Sequence, residues 1–241
     1  QTSDALARIF AKGSISFSGL YDIGGSLLRL KVGSALGIVE LLQISKQLDV
    51  ALRVKSYSRK DTDDDNKDSL DDMFAVIEPL SPLNNEIKRC IISEDEIADD
   101  ASPALKSVRR NIRLTNERIH QQLNSMVNSQ SISSKLQDNL ITMRGGRYCL
   151  PVKAEYRSQV DGMIHDQSST GSTLFIEPMA VVRLNNELAE LAVKEKEEIE
   201  KVLADLSNQA GAYQSELEEN LKTLTALDFI FARAMLSRHY N

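Results

Sequence analysis

The sequence has 241 residues, of which 41% are apolar, 27% are charged and only 5% are aromatic, and its formal net charge is −6. With 11 glycines, 5 prolines and no tryptophan it is poor in turn and strand formers, which argues against an all-β fold and favours helices. No apolar run approaches the roughly 20 residues that span a membrane. Cys90 and Cys149 lack the spacing of a zinc site or a disulfide framework, so we expect free thiols in a reducing, cytoplasmic compartment.

The first hundred residues predict helices joined by short glycine-containing links. An apolar stripe runs from Val32 to Arg53 at helical spacing. Residues 61–72 form an acidic block that we expect to be a solvated loop, and residues 73–100 read as short elements around Pro79 and Pro82. The opening residues lack the regions of a signal peptide, and because no initiator methionine is present we expect part of a longer protein.

The negative charge is concentrated in one segment. Residues 61–100 hold 14 acidic and 3 basic side chains, so the remaining residues carry a net charge of +5. The negative net charge of the whole chain therefore does not exclude a nucleic-acid partner, although it argues against binding through general surface charge.

Two long helices and a return helix follow. Ser102 is a good N-cap with Pro103 at the first helical position, and this helix should run to about residue 129. A second long helix should begin near Pro178 and end before Gly211. A third is predicted over residues 212–239.

The stretch between the two long helices is the only one that we predict as β-structure. Gly145 and Gly146 suit a two-residue hairpin turn, whose register pairs Thr142 with Cys149 and Arg144 with Arg147. A second pairing, of residues 163–167 with 172–176, would put Ile164 opposite Phe175 and Asp166 opposite Thr173.

Helices of similar length that are joined by a compact β module should pack antiparallel. The sequence therefore predicts a mainly α fold, in which a long antiparallel helical arm extends from a helical core. A small antiparallel β module would be inserted at the tip of the arm.

Arg144 and Arg147 are the most informative charged pair. Directly opposed like charges destabilise a hairpin, and a bound anion such as phosphate would relieve the repulsion. The alternatives are two solvated arginines at an exposed turn, or ion pairs with Glu155 or Asp161. Lys153 and Arg157 complete our candidate nucleic-acid-binding set.

Other patterns give weaker signals. Lys106, Arg109, Arg110 and Arg113 share one side of a helix, where they could track a nucleic-acid backbone or pair with acids on a neighbouring helix. Asp61, Asp63 and Asp65 resemble the start of a calcium loop, but later ligand positions do not match, so we expect no metal.

The residue types of a hydrolase triad occur close together in His165, Asp166 and Ser168. Near neighbours on one strand cannot converge as a triad must. We expect His165 to face Met163, Leu174 and Ile176 as a packed neutral side chain. The sequence contains no phosphate-binding loop and no metalloprotease or hydrolase motif, so we expect no catalytic residue in this chain.

From residue 138 onward the sequence resembles the bacterial MutS-like proteins of the second branch. Their pattern R-x-G-R-Y-x-x-P-V-K, then H-D-x-S-x-x-G-x-T-x-F-I-E-P, then L-N-N-E-L is present almost continuously. The matching positions are Arg144, Gly146, Arg147, Tyr148, Pro151, Val152, Lys153, His165, Asp166, Ser168, Gly171, Thr173, Phe175, Ile176, Glu177, Pro178, Leu184, Asn185, Asn186, Glu187 and Leu188.

The resemblance implies a core, lever and clamp region. It divides the chain into a helical core at 1–100, an ascending lever helix at 101–135, a β clamp module at 136–178, and a descending lever helix with a return helix at 179–241. The family is dimeric and works in the bacterial cytosol or nucleoid. Its members carry an ATPase domain, which uses ATP and Mg²⁺, and a nuclease domain, neither of which this sequence contains.

The family's role implies the partners that we expect. Its members bind branched or mismatched DNA, suppress recombination and act on stalled, collided ribosomes. We therefore expect weak, sequence-independent binding of DNA or ribosomal RNA, and no membrane partner. The alternative is a helical scaffold whose tip docks on another protein.

Overall fold

The computed structural model describes residues 1–58 and 68–240, which divide into two compact units. Unit 1 comprises Gln1–Ala101 and Glu200–Asn241, and unit 2 comprises Ser102–Ile199. The described part of the chain is mainly helical with small antiparallel sheets, as predicted. No helix within it is both long and apolar enough to cross a bilayer.

Most of the elements are helices, and the strands lie in two short segments of the described chain. The helices are α1 (Thr2–Lys12), α2 (Gly24–Lys31), α3 (Ile38–Ser58), α4 (Asp71–Ala75), α5 (Ser81–Cys90), α6 (Pro103–Val127), α7 (Gln130–Ser133), α8 (Met179–Gly211) and α9 (Gln214–Tyr240). The strands are β1 (Ile91–Ser93), β2 (Glu96–Ile97), β3 (Thr142–Arg144), β4 (Arg147–Lys153), β5 (Gly162–Gln167) and β6 (Thr173–Pro178). A 3₁₀-helix covers Ala154–Gln159.

Unit 1 is held together by an apolar core between α1, α3, α4 and α9. The ring of Phe231 lies 6.0, 5.8 and 6.4 Å from the rings of Phe17, Tyr57 and Phe74, and two of these contacts are edge-on, the arrangement that aromatic quadrupoles favour. The helix predicted from Val32 begins at Ile38 instead. Gly33 has a φ of +74° and follows the end of α2, so the backbone leaves the helical conformation there.

The acidic block is structured at its end. Residues 61–67, including Asp61, Asp63 and Asp65, lie outside the described residues. Asp68 and Asp71 receive the Arg8 guanidinium at 2.5 and 2.8 Å, and α4 begins at Asp71. The predicted solvated loop over 61–72 is therefore wrong for its last residues, because Arg8 neutralises two of the carboxylates.

Unit 1 also contains strands that the sequence analysis did not predict. β1 and β2 form a short antiparallel hairpin in which Ile91 pairs with Ile97, and both side chains are buried. Strands of three and two residues are too short to show an alternating pattern, so the prediction of β-structure only between the long helices was wrong.

Unit 2 is built on α6 and the first part of α8. Ser102 Oγ accepts the Leu105 N–H at 3.0 Å, which confirms the predicted N-cap of α6. Within this unit Arg109 contacts Glu195 and Thr115 contacts Glu187, so α6 and α8 run antiparallel here. Apolar side chains of both helices pack on the sheet, and they include Ile119, Leu123, Val127 and Val181.

The sheet of unit 2 has the strand order β3-β4-β6-β5, and all its pairings are antiparallel. Its first hairpin has the predicted register, with Thr142 opposite Cys149 and Arg144 opposite Arg147. Gly145 and Gly146 have φ values of +55° and +75°, as a type I′ turn requires.

The predicted register of the second hairpin was wrong. Ile164 pairs with Ile176 and Asp166 pairs with Phe175, because an irregularity between them inserts His165 as an extra residue. The turn beyond is longer than expected: Ser168 N–H donates to the Thr173 carbonyl, and Gly171 at a φ of +71° closes the loop between them.

Candidate functional site

The side chain of Glu177 is the hub of a polar network on the sheet of unit 2. It is fully buried, and its Oε2 receives Arg147 Nε at 2.8 Å and contacts His165 Nε2 at 2.5 Å. Its Oε1 accepts Asn185 Nδ2 at 2.8 Å. Arg147 also donates from Nη2 to Asn186 Oδ1 at 2.6 Å. One buried carboxylate therefore ties three strands, β4, β5 and β6, to the first turns of α8.

Asn185 extends the sheet with its side chain. Its Oδ1 accepts the Tyr148 N–H at 3.2 Å, and its Nδ2 lies 3.3 Å from the Tyr148 carbonyl oxygen. The β4–β6 ladder begins at Leu150, so Tyr148 has no partner residue on β6 and the Asn185 amide takes that place. The Tyr148 hydroxyl donates to Asn116 Oδ1 at 2.8 Å, which links the network to α6.

The hydrogen bonds of the hub favour the charged form of Glu177. Burial opposes ionisation, but hydrogen bonds from Arg147, Asn185 and His165 outweigh it, so the pKa of Glu177 lies below its ordinary value of 4.5. The carboxylate therefore stabilises unit 2 fully above about pH 4.5, and this contribution is lost as the pH falls through the lowered pKa.

We expect unit 2 to lose stability in acid through this group. Amide exchange in β4 and β6, corrected for its intrinsic rate, should show a smaller opening free energy at pH 3 than at pH 6. Glu177→Gln cannot ionise and should be less stable than the wild type at pH 6 but less sensitive to pH. An unchanged pH dependence in this variant would contradict the assignment.

The thiol of Cys149 lies beside this hub and does not take part in it. Burial, followed by the charge of Glu177, raises the pKa of Cys149 to about 11. Cys90 and Cys149 are both free, as predicted, and both are buried. Cys149 is therefore a neutral thiol near pH 7, and it packs as an apolar side chain and does not act as a nucleophile.

Arg144 packs differently from Arg147. Its guanidinium lies over the Phe175 ring, 3.8 Å from the ring centre, and its Nε is 3.2 Å from Asp166 Oδ2. The side chain keeps 36% of its exposure. Ion pairs with Glu155 or Asp161, which were one of the alternatives, are not the ones that form. Glu177 and Asp166 neutralise the arginine pair instead, so the hairpin does not need a bound anion to relieve the repulsion.

The other two candidate cations lie at the end of β4 and in the segment after it. Lys153 Nζ is 3.3 Å from the Ser134 carbonyl and 6.0 Å from the Tyr156 ring centre, and the residue is half-buried. Arg157 donates to the carbonyl oxygens of Val160 and Gly162, both at 3.2 Å. Arg157 thus fixes the turn into β5, whereas Lys153 is partly accessible at the end of β4.

The three residues with hydrolase-type side chains do not converge. His165 contacts Glu177, so the prediction of a packed histidine facing Leu174 and Ile176 was wrong; the extra residue in β5 turns its ring toward the carboxylate. Asp166 pairs with Arg144, and Ser168 Oγ accepts the Thr173 N–H at 3.1 Å. These contacts give the three side chains structural roles.

The remaining motif positions shape the backbone. Gly146 lies in the hairpin turn and Gly171 in the β5–β6 loop, both at positive φ. Pro151 pairs with Phe175 in the centre of the sheet, and Pro178 ends β6 directly before α8. Among the described residues no cluster of three or more histidine, cysteine or acidic side chains could hold a metal ion.

Comparison with known proteins gives a consistent result along the chain. No family model matches it. An endonuclease MutS2 of Lachnoclostridium phytofermentans is 58% identical over 244 residues, which cover 99% of this chain and 31% of that protein. Proteins of the same name from Agathobacter rectalis and Ruminiclostridium cellulolyticum are 55% and 42% identical over the whole chain and 30% of their own length.

The chain is homologous to one region of the MutS2 endonucleases. It spans about a third of the length of these relatives, and the activity in their name describes the longer proteins. The resemblance noted from the sequence is thereby confirmed.

The MutS2-like motif residues have a common physical explanation. Arg147, Tyr148, His165, Glu177 and Asn185 converge on one network although they are up to 38 positions apart in the sequence. Glu177 was not predicted to be its centre. The sequence does contain one signal: Glu177 directly follows the apolar run Leu174–Ile176, which suggests that its carboxylate is buried. A buried carboxylate requires charged or hydrogen-bonding partners, so it indicates a polar network.

Proposed function

We propose that this chain is the non-catalytic core, lever and clamp region of a MutS2-type protein, and that unit 2 binds nucleic acid without regard to sequence. In this proposal α6 and α8 are the lever, and strands β3–β6 are the clamp. The targets are branched or mismatched DNA, ribosomal RNA of stalled and collided ribosomes, or both. The name of the relatives, endonuclease MutS2, supports a nucleic-acid partner.

The distribution of charge is the observation that carries this proposal. Residues 102–157 hold ten basic and three acidic side chains, whereas residues 158–199 hold three basic and eight acidic ones. The basic excess of unit 2 is therefore confined to α6, the first hairpin and the segment that follows. Such local concentration of lysine and arginine favours contact with phosphates although the whole chain is acidic.

The residues proposed for contact differ from those proposed for architecture. Arg144 and Lys153 retain exposure and remain the candidates on the sheet. Arg147 and Arg157 are engaged by Glu177 and by backbone carbonyls, so they contribute mainly by holding the sheet in shape.

Nucleotide chemistry is assigned to the parent protein and not to these residues. The sequence has no phosphate-binding loop, so the residues present do not fit an ATP and Mg²⁺ site, and we derive no catalytic step for this chain. In this proposal the longer protein pairs with a second copy, and it transmits nucleotide-driven changes to the clamp. It also suppresses recombination, and it acts in the bacterial cytosol or nucleoid.

A salt titration tests the proposed binding. Fluorescence anisotropy measures the affinity of the chain for a labelled four-way DNA junction and for a labelled structured RNA hairpin, at salt concentrations from about 30 to 200 mM. We expect weak binding of both, with an affinity that falls steeply with salt and does not depend on base sequence. Absence of binding at the lowest salt concentration would contradict the proposal.

The rival function is that of a protein-interaction scaffold. The exposed apolar side chains of unit 2 favour it: Leu140, Met143 and Met163 keep 65%, 48% and 44% of their exposure. A binding partner that uses these groups would show little dependence on salt. A slope near zero in the titration would therefore favour this alternative.

A further inference from the structure

Helix α6 carries a cationic stripe on its exposed face. Lys106, Arg110 and Arg113 lie at positions i, i+4 and i+7, and all three residues are exposed. They rise along the helix axis in steps of about 6 and 4.5 Å. The helix contains five basic residues and one acidic residue, Glu117, which lies one turn beyond Arg113 and limits the stripe at that end.

Two members of the stripe, Lys106 and Arg110, differ from the neighbouring Arg109 in their contacts. Arg109 is turned toward α8, where its Nε lies 2.7 Å from Glu195 Oε1. Within residues 1–58 and 68–240, neither Lys106 nor Arg110 forms an ion pair or a side-chain hydrogen bond. Their charges are therefore compensated by solvent alone, unlike those of Arg144 and Arg147 on the sheet.

We infer that the stripe of α6 is a phosphate-contacting rail, on which the phosphodiester backbone of a bound nucleic acid lies along Lys106, Arg110 and Arg113. This inference rests on the proposed function and specifies where most of its electrostatic affinity arises. Three basic side chains that follow one another along one face of a rigid helix can contact neighbouring phosphates of the same strand. The rail contacts phosphates and not base edges, so it binds DNA and RNA duplexes alike.

The test compares two double variants that remove the same charge from unit 2. Lys106→Gln with Arg110→Gln removes two cations of the stripe. Arg183→Gln with Lys196→Gln removes two exposed cations of α8 and serves as the control. Affinities for one 20-bp sequence, prepared as DNA and as RNA duplex, are measured by anisotropy across a salt series. Circular dichroism checks that both variants are folded.

We expect the stripe variant to lose affinity at least tenfold at low salt, for DNA and RNA alike. Because each phosphate contact contributes about 0.9 to the salt slope on duplex DNA, that slope should become shallower by about 1.8. The control should change affinity less than threefold. Equal losses in both variants, or a stripe variant with the wild-type slope, would overturn the rail.

The outcome separates this inference from the proposed function. If the wild-type chain binds both duplexes and the stripe variant binds them equally well, only the rail is wrong. If the wild-type chain binds neither these duplexes nor the four-way junction and the RNA hairpin at low salt, the proposed function and the rail both fail. Loss of RNA binding with unchanged DNA binding would also overturn the rail, because phosphate contacts do not distinguish the two so sharply.

Discussion

Replacing Glu177 by alanine is expected to lower the free energy of unfolding of unit 2 by about 3 kcal/mol. The substitution leaves the Arg147 guanidinium and the Asn185 amide without their common acceptor, and removing one member of a buried charged pair is costly for that reason. Arg147 and His165 keep 21% and 24% of their exposure, so partial hydration reduces the penalty from the upper end of its range.

The matched control for this variant is Glu155→Ala, which removes an exposed carboxylate from the same unit. Amide exchange in β4 and β6 measures the local opening free energy of each variant. We expect the Glu155 variant to lie within about 0.5 kcal/mol of the wild type. Equal destabilisation by the two substitutions would show that Glu177 is not a hub.

Replacing Gly162 by alanine is expected to destabilise the β5–β6 pairing by about 2 kcal/mol. A Cβ at this position would overlap the Glu177 carbonyl oxygen and would lie 2.7 Å from the Ile176 side chain. The backbone oxygen cannot move without disturbing the hub residue itself. Overpacking against fixed neighbours costs 1–3 kcal/mol in well-packed proteins.

Gly25→Ala provides the comparison for this substitution. Gly25 is in α2, and a Cβ there meets no atom within 4 Å. Alanine should be neutral or stabilising by about 0.5–1 kcal/mol at that position, since glycine lowers helix stability. Thermal unfolding of both variants, with amide exchange in β5, measures the difference. A Gly162 variant as stable as the wild type would contradict the close packing of β5 on β6.

Local chemistry made part of the fold predictable from sequence. Ser102 and Pro103 define the start of α6 through one N-cap hydrogen bond and one fixed φ angle. Gly145 and Gly146 determine a two-residue turn, and the turn fixes the register of its hairpin. In both cases the decisive residues are adjacent in the sequence.

Long-range contacts explain what could not be predicted. The extra residue at His165 depends on its contact with Glu177, twelve positions later, so the β5–β6 register was not determined by the loop between them. Arg147 donates hydrogen bonds to Glu177, 30 positions later in the sequence, and to Asn186, 39 positions later. Sequence spacing suggested Glu155 and Asp161 as its partners, but the strand order β3-β4-β6-β5 brings β6 next to β4.

The basic residues of unit 2 fall into two groups, those that hold the sheet together and those that are accessible to a nucleic acid. Arg147 lies in the buried network, whereas Arg144 and Lys153 on the sheet are partly accessible and Lys106 and Arg110 on α6 are exposed. Variants of Arg147 are therefore expected to alter binding indirectly, through the shape of the sheet. A binding study that substitutes Arg144 and Arg147 together would confuse these two effects.

A double-mutant cycle between Arg147 and Glu177 tests most directly the claim that the motif residues form one structural network. Arg147→Met, Glu177→Gln and the combined variant are compared with the wild type by amide exchange in β4 and β6. We predict a coupling free energy of about 1–2 kcal/mol, because the second substitution removes a group that the first has already left unpaired. Additive effects of the two substitutions would contradict it.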